Sequence, residues 1–239
     1  MTSAAPHHAR RTVTDLGSVD WYELPKWYDV LHAAGTAAEV DGLERIAARY
    51  TTCRYSGAPR WFEPACGTAR YLRAAAQRGI HAHGFDALPA MIDYADARAE
   101  RAGLDMTLEV GTFSDFVLPK RKAHFAFCLI NSIRHVRTDD ELLIHFERMG
   151  EALAPGGVYA VGVNVSAAGL ETPTEDVWIG ARGTCRVTQL VQYIPPEPGG
   201  TDERTELVLS HLTITTPTRE THADTQYRLR TFSGAQWRG

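Results

Sequence analysis

Close pairs of cysteines are missing from this chain. Cys53, Cys66, Cys128 and Cys185 lie far apart and form no CxxC motif. That spacing argues against a structural zinc knot or a disulfide framework, and it fits a reducing cytoplasm. Basic blocks are missing too: 25 Lys and Arg stand against 29 Asp and Glu, for a net charge of −4, with no run long enough to follow a phosphate backbone. Nucleic acid is therefore not expected as a partner. No apolar stretch approaches the length of a membrane span. The Arg10-Arg11 pair is followed by TVTDLGSVD, which has no apolar run to serve an export signal. His7 and His8 have no matching set of acids or cysteines, so no metal is expected.

What is present is enough for one sizeable domain. The 239 residues are 44% hydrophobic, the proportion of a packed core. Residues 1–18 are small, polar and without period, which predicts a flexible tail before a single domain over 19–239. A helix is expected at 37–50, where Ala38, Leu43, Ile46 and Ala47 recur at mostly helical spacing. From Arg60 onward strand-like and helix-like segments alternate, the pattern of an α/β fold with a mainly parallel sheet and helices on both faces. Strands are expected at 60–64, 81–86, 106–110, 124–130 and 158–165. Helices are expected at 68–78 and 88–102, ended by Gly79 and Gly103. A third, at 139–153, opens on the Thr138/Glu141 capping box and stops at Pro155-Gly156-Gly157. This core covers 28–165. Beyond it the texture turns to alternating, β-branched runs at 184–194, 206–215 and 225–232, which predicts a C-terminal antiparallel β appendage over about 180–233.

The chemistry concentrates in WFEPACGTAR, Trp61 to Arg70. A strand ending at Pro64, a tight turn through Cys66-Gly67-Thr68 and a following helix aim backbone N–H groups and a helix N-terminus at a ligand. Nineteen residues after Gly67 comes Asp86, at the end of the next strand, where a carboxylate can accept hydrogen bonds from ribose hydroxyls. Glu63 decides between cofactors. A carboxylate just before the turn repels a pyrophosphate and can pair with an amino group. The loop thus favours S-adenosylmethionine over a dinucleotide.

EPACGTARYL resembles the first motif of the class I S-adenosylmethionine-dependent methyltransferases, and GFDALPAMIDYA resembles their second. FAFCLINSIRHV occupies the place of the family's fourth strand and following loop, and ALAPGGVYAVGV is similar to the segment leading into its fifth. The resemblance runs from about Tyr28 to Val165 and is weak across the C-terminal strands. It implies a Rossmann-like fold and S-adenosyl-L-methionine as methyl donor, with S-adenosyl-L-homocysteine as product and no metal. On matching positions it implies Glu63 and the backbone of Ala65 and Gly67 beside the methionyl portion, with Asp86 on the ribose. Ala87 and Met91 would flank the adenine. Thr112 and Phe113 stand where the family often has an acid near the adenine amino group, so Thr112 or a backbone group would serve there. Tyr28 matches a tyrosine that closes over the cofactor. Members of the family often end their sheet with a helix and an antiparallel strand pair. Here that finish is expected to be missing, truncated or replaced by the appendage strands; an incomplete sheet would leave an exposed edge, from which either a homodimer or instability is expected.

For the acceptor the sequence offers Asn131, Ser132, Arg134 and His135, at the carboxyl edge of the fourth strand where α/β folds bind ligands. Asn131 is counted with the cofactor contacts, or it caps the turn. His135 is the candidate base, or a hydrogen-bonded loop histidine. Arg134 would pair an acidic substrate or be a solvated charge. Of Trp21, Tyr22, Trp27 and Tyr28, most are expected in the core and only Tyr28 in the site. Cys66 is expected to be a small turn residue and not a nucleophile. The reading is methyl transfer to an oxygen or nitrogen of a small molecule. A non-catalytic cofactor-binding or scaffold protein is the alternative, and an NAD(P)-dependent oxidoreductase is disfavoured by Glu63 and by the incomplete G-x-G-x-x-G.

Overall fold

The computed structural model describes residues 11–167, 170–197, 199 and 203–238. The described strands form two five-stranded sheets. The first takes β2 (Arg60–Pro64), β3 (His81–Asp86), β4 (Met106–Val110), β5 (Ala123–Cys128) and β6 (Leu153–Val161) in the order β4-β3-β2-β5-β6. Every neighbouring pair in it is parallel. Three of the four connections are helical, through α3 (Arg70–Ala76), α4 (Pro89–Arg101) and α5 (Asp139–Ala152), while β4 and β5 are joined by a loop; α1 (Pro25–His32) and α2 (Thr36–Tyr50) lie ahead of the sheet. Strand order reverses between β2 and β5, so a crevice opens at their carboxyl ends.

Alternation along the strands explains the two faces. Trp61, Phe125 and Phe127 point one way and pack with Val40 and Leu43 of α2, Leu72 and Ala75 of α3, and Ile92 and Ala95 of α4. Phe62, Phe85 and Ala126 point the other way, onto Met149 and Ala152 of α5. A sheet covered on both sides needs apolar residues at consecutive positions, and all six residues of β5 are buried. The α5 start forms the Thr138 half of the expected capping box, with Thr138 Oγ1 accepting from Glu141 N–H at 3.0 Å, while the Glu141 half shifts by one residue. Glu141 reaches back to Arg137 N–H at 2.7 Å.

The expected stop at Pro155-Gly156-Gly157 is corrected. α5 ends at Ala152, and β6 runs through these residues with a register shift opposite Ala123 and Phe125. Gly156 has φ +80°, its carbonyl accepts from Thr52 and Cys53 N–H, and an added Cβ would lie 2.6 Å from Thr52 Oγ1. Its role is close approach within a bulged strand. Beyond β6 the described residues add no further strand to this sheet.

The second sheet has the order β1-β10-β9-β8-β7, from β7 (Thr174–Arg182), β8 (Cys185–Ile194), β9 (Thr205–Thr215), β10 (Arg219–Arg230) and β1 (Thr12–Ser18). β7 to β10 form an antiparallel meander, as expected for the appendage. The expectation of a flexible tail over 1–18 is corrected for 12–18. These residues pair in parallel with β10, Thr12 opposite Arg219 and Asp15 opposite His222, held by main-chain bonds that need no apolar pattern. Residues 1–10, with His7 and His8, lie outside the described residues.

The inner face of the second sheet buries Val187, Leu212, Ile214 and Ala223 against Trp21, Val30 and Leu31 of the N-terminal segment. Gly180 of β7 permits the contact, since a Cβ there would lie 2.3 Å from the Val30 carbonyl oxygen. Gly180→Ala is expected to push α1 off the sheet at a cost of about 1–3 kcal/mol, read as a lower midpoint in urea.

His145 of α5 is fully buried, with Nδ1 3.0 Å from the Phe113 carbonyl and Nε2 2.9 Å from the Tyr159 hydroxyl. Burial pulls its pKa down to about 4, against the Phe113 bond, which acts in the other direction. The unfolded chain therefore takes up the proton first. Its contribution to stability is complete above about pH 6.5 and drains away as pH falls toward 4. A fall in melting temperature from pH 7 to pH 5 that is smaller in His145→Leu than in the parent would check this.

Candidate active site

Between the two sheets lies a cavity of about 1790 Å³. Its floor is the carboxyl edge of β2, β3 and β5. Its roof is the inner face of β7 to β10 with the N-terminal aromatics.

The β2–α3 turn is wound by left-handed residues at alternate positions: Ala65, Gly67 and Ala69 have φ of 51°, 54° and 52°. Two of these are alanines, so the turn carries strain of the kind found at ligand sites. Gly67 N–H donates to Asp86 Oδ2 at 2.8 Å, and Leu88 N–H to Asp86 Oδ1 at 3.0 Å. Asp86 thus braces the turn that the sequence reading aimed directly at a ligand. A carboxylate has about four acceptor positions, so two remain for hydroxyl groups in the cavity. Burial raises the Asp86 pKa, and the backbone donors restrain the rise. A Cβ on Gly67 would meet Tyr28 Cε1 at 3.7 Å, which leaves the approach to the backbone open.

Glu63 is 4% exposed and lies behind the floor, outside the residues that line the cavity. Its Oε2 is buried without a hydrogen-bond partner. Burial pushes its pKa well up and Asp86 adds to this, while Arg70 opposes. A buried carboxylate left half-satisfied at the end of β2 is unfavourable without a cationic or donor group beside it. It fits an amino-bearing cofactor. Cys66 is buried, and its thiol is driven up by burial and by the Glu63 and Asp86 charges, which removes it as a nucleophile.

The remaining sequence candidates meet in one place. Tyr28, Ala65, Gly67, Asp86, Ala87 and Met91 line the cavity, as do Thr112, Phe113, Asn131 and His135. Thr112 Oγ1 accepts from Asp115 N–H at 3.1 Å, so its hydroxyl closes a local turn. Asn131 is a second strained position, φ 62°, and its Oδ1 accepts from Asn164 N–H at 2.7 Å, tying the β5 loop to the segment after β6. Arg134 is neither solvated nor free. It is buried, pairs with Glu206 at 2.9 Å and donates to the Arg230 carbonyl at 2.8 Å, so it anchors the roof to the floor.

His135 lines the cavity, its ring accessible to solvent there while protein atoms crowd the space around it. Its Nε2 lies 3.2 Å from the Tyr22 hydroxyl. Burial lowers its pKa to about 4, Arg134 adds to this and Asp20 opposes. The imidazole is neutral at pH 7. Tyr22 was not among the sequence candidates, nor was Tyr227, whose ring lies 5.6 Å from Tyr22 and 5.7 Å from His135. Rings continue through Tyr28 and His32 to Trp178, making an aromatic wall across the roof. The inward alternation of Thr225, Tyr227 and Leu229 was the available signal for Tyr227. Trp21, by contrast, is core.

One buried carboxylate locks the roof in place. Asp29 of α1, 1% exposed, accepts from Thr68 Oγ1 at 3.1 Å, Arg73 at 2.5 Å, the Tyr94 hydroxyl at 2.9 Å and Arg182 at 2.7 Å. It joins α1 to the β2–α3 turn, α3, α4 and β7. Burial alone would raise its pKa, but Arg73 and Arg182 outweigh that and hold it below the ordinary value.

Among the described residues no group of three or more His, Cys, Asp or Glu is placed to hold a metal ion, and no helix is long and apolar enough to cross a membrane.

Residues 62–157 match the family described as "Methyltransferase domain". No curated protein matches the chain. Among solved structures the chain is similar to DesVI of Streptomyces venezuelae, at 22% identity and TM-score 0.72 over 92% of this chain and 88% of that one. It is also similar to the sugar N-methyltransferase KedS8 from Streptoalloteichus sp., at 20% identity and TM-score 0.67 over 99% and 87%. A third is CalS10, an amino pentose methyltransferase from Micromonospora echinaspora solved with S-adenosylmethionine bound, at 19% identity and TM-score 0.60 over 88% and 79%. At these identities the likeness is one of fold. Residues 62–157 thus carry a methyltransferase domain, and the strand order β4-β3-β2-β5-β6 with the likeness to these structures gives the chain a methyltransferase Rossmann-like fold.

Proposed function

We propose that this protein transfers a methyl group from S-adenosylmethionine to a nitrogen or oxygen of a small polar molecule enclosed between the two sheets. The observation that carries the cofactor assignment is the buried, unpartnered Glu63 oxygen behind the braced Gly67–Asp86 turn. Bound there, S-adenosylmethionine supplies an electrophilic methyl group on a sulfonium sulfur. The residues named here bind and orient. Glu63 and the Ala65 and Gly67 backbone would hold the methionyl end, Asp86 the ribose, and Ala87, Met91, Thr112 and Phe113 the adenine. Tyr28 and Asn131 would close the two sides.

In-line displacement needs alignment and exclusion of water more than strong base catalysis. A histidine lowered to about 4 is a weak proton sink, yet its neutral ring is a ready hydrogen-bond acceptor. His135 and Tyr22 would orient the N–H or O–H of the acceptor, the proton moving toward His135 Nε2 as positive charge develops on the methylated atom. The similar proteins named as sugar and amino pentose methyltransferases support an amino sugar as the first acceptor to try.

Calorimetric titration with S-adenosylmethionine, followed by mass spectrometry of an amino-sugar panel incubated with enzyme and cofactor, tests the reading. Saturable binding and gain of one methyl group are expected, and folded protein that binds no cofactor would overturn it. Because His135 is neutral down to about pH 5, His135→Ala should lower kcat by about 10²–10⁴-fold without removing an acid limb near pH 6. Equal pH–rate profiles at very different amplitudes would bear this out.

A further inference from the structure

Along β8 the inward positions of the roof are Val187, Gln189, Val191 and Tyr193, and the amide of Gln189 interrupts an otherwise apolar and aromatic row. Leu212 lies opposite it on β9 and Trp178 on β7. Gln189 is 5% exposed, and both it and Trp178 line the cavity. The amide nitrogen donates to Ser210 Oγ at 3.2 Å. The amide oxygen accepts from no donor among the described residues. Unlike Glu63 Oε2, this oxygen is not sealed inside the protein, and the space from which it is reached is the cavity.

The bond to Ser210 does not explain why an amide stands here. An aliphatic side chain would fill the same place among Val187, Val191 and Leu212 and leave no polar group to satisfy. A buried amide with one side unbonded is unfavourable until a ligand completes it.

We propose that Gln189 is a specificity residue for the acceptor: its amide oxygen accepts a hydrogen bond from a hydroxyl of an amino sugar whose ring lies along Trp178. The inference rests on the cavity being the place of methyl transfer. An indole beside an amide suits a sugar, because the C–H face of the ring packs on the aromatic plane while a hydroxyl meets the polar group. The chain of rings from Trp178 through His32 and Tyr28 reaches Tyr22 and His135, where the nucleophile is oriented. Gln189 thus holds a part of the acceptor that does not react, and such remote contacts keep the reacting atom in place.

The test is calorimetry of glucosamine and its 3-deoxy, 4-deoxy and 6-deoxy analogues on protein saturated with S-adenosylhomocysteine, for the parent, Gln189→Leu and Gln189→Glu. In the parent, removal of one of these hydroxyls should weaken binding about tenfold. In Gln189→Leu glucosamine itself should bind about tenfold more weakly, and the same deoxy analogue should lose nothing further. Gln189→Glu should bind like the parent, because a carboxyl kept neutral by burial donates to Ser210 and still presents a carbonyl oxygen. Leucine suits the apolar surroundings, so both variants should fold, and unchanged affinity for S-adenosylhomocysteine checks this. A parent that does not bind S-adenosylhomocysteine overturns the methyltransferase reading and this proposal with it. Cofactor binding without glucosamine binding overturns this proposal alone. So do losses that simply add between residue and hydroxyl, or a glutamate variant that behaves like leucine.

Discussion

Glu63→Leu should melt at a higher temperature than the parent protein and bind S-adenosylmethionine roughly ten- to a hundredfold more weakly. The two effects have one origin. In the free protein Glu63 Oε2 is buried without a partner, and burial has raised the pKa of the group. Leaving such a group unsatisfied costs about 1–3 kcal/mol, which an aliphatic side chain of similar size recovers. For a chain of this length that is a rise of about 2–10 °C in melting temperature. The sign with pH is fixed as well. Because the folded pKa is raised, the unfolded chain releases the Glu63 proton first, so the parent loses stability and the advantage of leucine should grow as pH rises above about 4.5. Cofactor binding moves the opposite way, because a charge-assisted hydrogen bond worth about 1.5–3 kcal/mol is lost. Thermal melts and titration calorimetry on the same preparations check both. A variant with unchanged affinity would remove Glu63 from the cofactor site.

Asp29→Ala should cost about 3–5 kcal/mol, the penalty of taking one partner from a buried ionic cluster. The Asp29 carboxylate joins three elements by charge or hydrogen bond besides Thr68, and Arg73 would be left largely buried with its counter-charge gone. Because Asp29 is held below its ordinary pKa, its contribution is complete above about pH 4 and is lost as pH falls through the lowered value. The local readout is sharper than the global one. Amides of α1 should exchange with solvent much faster in the variant, while those of β5, buried on both faces, keep their protection until global unfolding. Equal protection of α1 in both proteins would show that the carboxylate does not hold the roof.

The parallel sheet was legible because its strands carry their own signal. The bounds 60–64, 81–86 and 106–110 read from sequence are those of β2, β3 and β4. A strand buried on both sides must be apolar in consecutive positions, which is visible locally. β1 gave no such signal, since it is exposed along nearly all its length and pairs through its main chain. β6 misled for a local reason: Pro155-Gly156-Gly157 looks like a stop, and only the nearby Thr52–Cys53 backbone explains glycine inside a strand. The site divides the same way. The turn and the following acid are contiguous in sequence, so their chemistry could be read together. Tyr22, Tyr227 and His135 come from three distant segments, and only the folded cap brings their rings together. Asp29 carries no local signal, because its partners on α3, α4 and β7 are equally remote.

The pairing of β1 with β10 also sets an order of assembly. Its partners are separated by on the order of 200 residues, the most expensive kind of contact to close. During synthesis β1 emerges early and has nothing to pair with until β10 follows, whereas β2 to β6 can already form a sheet with their helices. Until then Trp21, Val30 and Leu31 lack the sheet residues that bury them, so α1 presents its apolar side to the surroundings. The roof of the pocket is thus the last part of the molecule to be built, and the stage most exposed to misassociation comes when the floor is already complete.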